Sequence, residues 1–311
     1  MRRLVGSVLF GLAVMAQDAA ADPASMVLRD GFDGADFAPE GGLYYRENAE
    51  QAAGRAEFQS EVTRDGTGGA LRLSVNALCN VTAERCSERA EIWEKTALRV
   101  PYETGVWYGF SVKFADPVPQ DDHRYLIAQW KREIGPEADG DFSPFLAFRM
   151  TNGKLFATVE TNHYPAPEGV QGTKAWLRPA TNQTRMVVAA DAAFTEADDP
   201  RFTDLTDRTV VTPRGAPLPR PGDGWIDFAV YTRPGPNGDG RIEIFANGLW
   251  VVSVTGHIGH NDHGLGAHQY FKFGPYRDGA PDEWVMYYDN FIRSPDCRDL
   301  LDEATCQMLG M

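Results

Sequence analysis

Tyr270-Phe271-Lys272-Phe273-Gly274-Pro275-Tyr276 is the stretch from which the fold can be read. Its alternation has the period of a β-strand, with Tyr270 and Lys272 on one face and Phe271 and Phe273 on the other. Gly274-Pro275 interrupts a regular ladder, so the direction of Tyr276 is less sharply fixed. The first face presents an ammonium beside a phenol, and the second is an aromatic surface fit for a core. Such a pair can hold an anionic sugar and move one of its protons. The alternative is an amphipathic strand with a solvated Lys.

Outward from this segment, period-two alternation bounded by Gly, Pro, Asn or Asp predicts many more strands. They are Met26–Phe32, Arg55–Val62, Ala70–Asn76, Glu88–Glu94, Val106–Phe114, Tyr125–Lys131, Phe145–Thr151 and Lys154–Asn162. After them come Trp225–Thr232, Arg241–Ala246, Leu249–Val254, Gln269–Tyr276 and Glu283–Arg293. Asn152-Gly153 and Asn247-Gly248 are hairpin signals, because both residues of each pair tolerate positive φ. Helical periodicity is scarce, with Arg298–Met308 the best short candidate. The expectation is an all-β fold, an antiparallel β-sandwich. From 163 to 223 the rhythm breaks into a loop-rich insertion in which only Arg185–Ala190 and Arg208–Thr212 look strand-like. Such a stretch suits a binding loop or a neutral insertion. It carries Tyr164, Lys174, Trp176 and Arg178, types suited to sugar rings and carboxylates.

Arg2 and Arg3, an apolar run from Leu4 to Met15 and Ala19-Ala20-Ala21 have the form of a signal peptide over residues 1–21. The mature domain is then 22–311, exported to the periplasm or the cell exterior. The apolar run is too short to span a bilayer, and no later run of about 18 apolar residues follows. A hydrophobic content of 43% is ample for a core. The net charge of −14 disfavours nucleic acid and anionic membranes as partners. Any cations that grip a polyanion must therefore be gathered locally. Four cysteines form two close pairs, Cys79 with Cys86 and Cys297 with Cys306, and local disulfides are the simplest of three connectivities.

Arg89-Ala90-Glu91 places a guanidinium and a carboxylate on one strand face, where Glu91 can fix the pose of Arg89. An ordinary ion pair is the alternative. Tyr125–Lys131 puts Ile127, Gln129 and Lys131 together, and an amide among apolar neighbours suggests a partly buried Gln129 that needs a partner. His257, His260, His263 and His268 lie in a Gly-rich stretch. No second ligand cluster supports a metal there, and a mobile loop at the mouth of a groove is the preferred reading. His163, ending a strand beside Asn162 and Tyr164, is the His most expected inside a site. No Gly-x-Ser-x-Gly elbow, phosphate-binding Gly loop or His-Glu-x-x-His helix is present.

Four blocks together resemble the jelly-roll polysaccharide lyases, the group holding glucuronan lyase, the alginate lyases and the smaller heparin lyase. They are Glu88-Arg89-Ala90-Glu91-Ile92; Trp107 to Phe114 with Gln129-Trp130-Lys131; Gly240-Arg241-Ile242-Glu243-Ile244 with Asn247-Gly248; and Tyr270–Tyr276 with Tyr288-Asp289-Asn290. The resemblance implies a β-jelly roll and β-elimination at a uronic acid in an anionic polysaccharide. It makes Arg89 and Gln129 carboxylate binders and Tyr276 the proton-transfer residue. Lys272 looks like the family Lys four residues before that Tyr. Glu91, Tyr270, Tyr164 and Trp176 complete the expected substrate-binding set. Where many relatives have Gln-x-His, with His as base, this chain has Lys131. Either Lys131 neutralises charge while Tyr276 is base and acid, or His163 supplies the imidazole. In alginate relatives a second Arg stands where this chain has Trp93, so a glucuronan-like substrate is favoured. No organic cofactor and no catalytic metal are expected, a structural calcium ion is left open, and a monomer is anticipated. Two rival readings share the sandwich. One is a non-catalytic carbohydrate-binding protein. The other is a glycoside hydrolase, which would need two carboxylates drawn from Glu91, Glu94 and Glu160.

Overall fold

A computed structural model describes residues 27–66, 68–79, 87–138, 142, 144–161, 184–195, 197, 198 and 208–311. Among them the strands form two nine-stranded sheets, and every strand pairing is antiparallel. The front sheet runs Thr184–Ala190, Lys154–Thr161, Leu146–Thr151, Tyr125–Ile134, Leu265–Asp278, Ile92–Glu94, Leu43–Tyr45. Ser87–Arg89 and Val100–Pro101 also pair with Leu265–Asp278. The back sheet runs Thr209–Pro213, Leu249–Ile258, Gly235–Ala246, Trp225–Arg233, Val106–Phe114, Trp284–Ser294, Ala70–Val75, Gly54–Gln59. Leu28–Asp30 pairs with Trp284–Ser294. This is the antiparallel β-sandwich that the alternation implied, in the jelly-roll form that the resemblance implied.

The core explains the pairing. Phe271 and Phe273 point between the sheets, fully buried against Trp130, Phe110, Tyr288 and Phe291. Phe271 and Trp130 lie 4.6 Å apart at their ring centroids, and each such pair contributes about 0.5–1.5 kcal/mol beyond its buried area. With those rings inward, Tyr270 and Lys272 must face outward from the front sheet. Both Asn-Gly pairs turn hairpins with positive φ at each residue, 49° and 69° at Asn152-Gly153 and 51° and 75° at Asn247-Gly248.

Two details of the strands differ from the sequence-based expectation. Glu88–Glu94 is two short strands, Ser87–Arg89 and Ile92–Glu94, broken at Ala90-Glu91. The break is held by distant groups: Ala90 N–H donates to Pro275 O at 2.8 Å, and Gln51 Nε2 donates to Glu91 O at 2.8 Å. Leu43–Tyr45 and Val100–Pro101 are too short to show a period, yet both are strands. The loop-rich 163–223 stretch supplies an edge strand to each sheet, Thr184–Ala190 and Thr209–Pro213, while residues 162–183 lie outside the described set. The tail candidate is a 3-10 turn, Cys297–Asp299, followed by the helix Glu303–Met308, with the Cys297–Cys306 disulfide joining them. Cys79 is also in a disulfide, and Cys86 falls outside the described residues. Among the described residues no helix is long and apolar enough to cross a bilayer.

A bulge fixes the direction of Tyr276. Phe273 pairs with Ala128 but Tyr276 with Leu126, so the Leu265–Asp278 strand carries one extra residue there. Gly274 sits in it at φ 120°, and an added Cβ would meet Ala90 O at 2.2 Å. The expected outcome for Gly274→Ala is a loss of about 1–3 kcal/mol in urea unfolding, from the strained backbone and the clash together. Wild-type stability in that variant would show that the bulge adapts.

Candidate active site

Strand register brings the sequence-predicted residues together. Tyr276 pairs with Arg89, Lys272 lies between Trp93 and Gln129, and Tyr270 pairs with Lys131. Glu91 occupies the break between the two short strands and is 1% exposed. Its Oε1 accepts from Gln129 Nε2 at 2.6 Å, and its Oε2 from Lys272 Nζ at 2.9 Å and Arg89 Nη1 at 3.3 Å. Arg89 Nε also lies 2.9 Å from Glu50 Oε2. Glu91, expected among the substrate contacts, is thus an internal clasp whose two oxygens are already engaged. Gln129 needed a partner for its buried amide and has this one.

Tyr276 stands among cations. The Arg89 guanidinium carbon is 3.9 Å from its ring centroid, Arg124 is at 4.7 Å and Lys272 Nζ at 5.9 Å. Lys272 is buried, and burial is the main cause that lowers its pKa to about 8. Glu91 opposes that shift, while the charges of Lys131 and Arg89 add to it. Lys131, half-buried on the same outer face, is therefore felt electrostatically at the site, as its spacing implied.

Next to this cluster Trp93 and Tyr270 stack, 5.5 Å apart with 14° between their planes. Lys272 Nζ and the Arg46 guanidinium lie 4.4 and 4.6 Å from the Trp93 centroid, and Arg99 lies 4.2 Å from that of Tyr270. Arg99 is held by Glu133 at 2.9 Å, and Glu133 also meets His268 Nδ1 at 3.1 Å. Sequence reasoning missed Arg46, Arg99 and Arg124. All three lie just outside strands, where no alternation shows which way a side chain points. In the sequence Trp93 stands out only as a departure from the alginate-lyase pattern, and nothing there places it against Tyr270.

The histidines do not line one open loop. His257 ends the Leu249–Ile258 strand, its Nδ1 2.8 Å from Pro236 O, and His268 lies in the Leu265–Asp278 strand. His263 is exposed, but His260 is fully buried with Nε2 3.2 Å from Glu160 Oε1. The reason is the Glu160 carboxylate on a neighbouring strand, which Arg185 also pairs. Burial alone would raise the Glu160 pKa; Arg185 and His260 outweigh it and hold the carboxyl below its ordinary range. Among the described residues no group of three potential ligands could hold a metal ion. His163, Tyr164 and Trp176, with Lys174 and Arg178, lie outside the described residues.

The sequence from 40 to 292 matches the family model described as polysaccharide lyase. The chain belongs to the polysaccharide lyase family. No curated protein sequence matches this lyase. Among solved structures it is similar to the endo-β-1,4-glucuronan lyase of the fungus Trichoderma reesei, with a TM-score of 0.58 and 15% identity over 88% of this chain and 96% of that one. An alginate lyase, AlyC3, aligns with a TM-score of 0.42 and 13% identity over 72% and 74% of the two chains. At that identity the fungal structure shows a shared fold. The three carboxylates offered for the hydrolase alternative are each engaged among the described residues. Glu94 accepts from Arg293 Nη1 and Phe271 N at 2.7 Å each, Glu160 is bound by Arg185 and His260, and Glu91 is clasped.

The Glu91 clasp generates a stability prediction. Lys272→Met leaves a buried carboxylate short of a cation and should cost about 3–5 kcal/mol in urea unfolding. Adding Glu91→Gln should recover part of this, giving a coupling of about 0.5–3 kcal/mol in a double-mutant cycle. Additive losses would show that the clasp is not an energetic unit. The sign of the pH effect follows from the lowered pKa. Between about pH 8 and the ordinary 10.5, the unfolded chain holds the Lys272 proton more than the native one does, so this residue's contribution to stability rises with pH there. The stability gap between wild type and Lys272→Met should therefore widen across that window.

Proposed function

We propose that the lyase cleaves a uronic-acid polysaccharide, with a glucuronan-like chain favoured, by β-elimination. The observation that carries this reading is the phenol of Tyr276 set beneath Arg89 at 3.9 Å, with the Lys272 ammonium behind it at 5.9 Å. Arg89, the more exposed of the cluster, meets the sugar carboxylate. Gln129 and Lys272 form the floor beneath it. Glu91 takes one donor from each, and an amide and an ammonium have more than one to give. Neutralising the carboxylate allows negative charge to build on it as the C5 proton leaves. Tyr276 Oη, as phenolate, takes that proton. The C5–H electron pair forms the C4–C5 double bond, the C4–O4 bond breaks, and the proton held by Tyr276 passes to the departing O4. Lys131 adds charge and need not act as a base.

Export of the mature domain is part of this reading. It is supported by the leader-like segment 1–21 and by the disulfides at Cys79 and Cys297–Cys306.

Tyr276→Phe should lower turnover by a factor of about 10²–10⁴ or more, read as absorbance of the unsaturated uronate product. Substrate binding and melting temperature should stay close to wild type. Retained activity removes Tyr276 from the mechanism. In a panel of glucuronan, alginate, heparan and pectate at several salt concentrations, glucuronan should be cleaved fastest. New reducing ends without the unsaturated product would mean hydrolysis instead.

A further inference from the structure

We propose that Arg46 and Trp93 form a second acid-sugar subsite beside Lys272, so that the lyase grips two neighbouring uronates at once. This rests on the proposed uronate substrate. Arg46 lies one residue beyond the edge strand Leu43–Tyr45, whose Tyr44 pairs with Trp93. Its guanidinium sits 4.6 Å from the Trp93 centroid, and Lys272 Nζ lies 4.4 Å from the same centroid. Arg46 is therefore the next cation along from the reaction site. Trp93 also stacks on Tyr270, which fixes the indole plane.

What singles Arg46 out is charge pairing. Arg89 is tied to Glu50 and Glu91, Arg99 to Glu133, Arg124 to Asp278 and Lys272 to Glu91. Arg46 is exposed, its guanidinium lies over the Trp93 ring, and among the described residues it makes no ion pair. In a chain of net charge −14, a guanidinium held against an indole and not drawn into an ion pair, although Glu47 follows it in the chain, is open to an incoming carboxylate. A planar fork in that position suits a carboxylate bidentately, and the indole offers an apolar surface for a sugar ring. A polymer with acids on consecutive sugars engages both Lys272 and Arg46. A polymer with an acid on every other sugar presents a neutral ring to one of them.

The test compares wild type, Arg46→Met and Arg46→Lys. Met keeps an apolar stem on Trp93 and removes the charge, whereas Lys keeps the charge without the fork. On a homopolymer of uronate, Arg46→Met should raise KM about tenfold with kcat within about twofold, and Arg46→Lys should recover part of the loss. The slope of log kcat/KM against log salt should become shallower by about one ion. On an alternating uronate copolymer that the lyase cleaves, the substitution should change KM less than twofold. Calorimetric binding of a uronate tetrasaccharide supplies a readout independent of turnover. A wild type that binds the oligomer without cleaving it defeats the lyase mechanism above and leaves this subsite open to the same binding comparison. Equal homopolymer KM and equal oligomer affinity in wild type and Arg46→Met overturn the subsite. So does a wild type that binds no uronate oligomer, or an equal KM increase on both polymers.

Discussion

A single buried carboxylate, Glu91, organises the site. Taking a carboxylate out of water is costly unless partners replace the lost hydration. Glu91 finds them in Gln129, Lys272 and Arg89, from three different strands of the front sheet. The same carboxylate makes the cations tolerable to one another, since Lys131 and Arg89 both act to expel the Lys272 proton. Positive charge is therefore gathered here without an open cluster of like charges. A ligand carboxylate arriving at Arg89 would be the third anion there, after Glu91 and Glu50.

The clasp depends in turn on the core behind it. Phe271 and Phe273 anchor their strand inward, so Lys272 between them must point at Glu91. Three residues on, the bulge at Gly274-Pro275 changes the register against the Tyr125–Ile134 strand and delivers Tyr276 beside Arg89. Pro275 O also accepts from Ala90 N, which holds open the break where Glu91 sits. One local irregularity thus positions both the phenol and the carboxylate. A regular ladder could not place them both, because it would carry Ala90 and Glu91 straight through the strand.

Most of the sandwich was legible because its strands alternate cleanly and its hairpins use Asn-Gly. Arg89, Glu91, Gln129 and Lys272 were legible for the same reason: parity along a strand assigns a face. The break at Ala90-Glu91 was not, since Gln51 and Pro275 cause it from far away in sequence. Arg46 and Arg124 flank strands rather than lie in them, so parity says nothing of where their side chains go. His260 was misread for a related reason. Its Gly-rich surroundings suggest an exposed loop, and only the partner strand reveals that Glu160 draws it inside.

The division between buried and exposed cations also bears on how such a fold changes substrate. Gln129 and Lys272 are each 2% exposed, and Glu91 ties them to each other. A substitution at any one of the three disturbs the other two, so this part of the site resists change. Under the proposed function it also discriminates little, since any uronate presents one carboxylate to it. Under the same reading, discrimination falls to groups that can vary without unfolding the sheet. Arg46 and Arg124 are of that kind: each lies outside the clasp, each touches a ring beside it, Trp93 or Tyr276, and neither bonds to Glu91. The physical separation of a fixed charge clasp from a variable rim allows one sandwich to keep its chemistry while the polymer it accepts is altered at the edge.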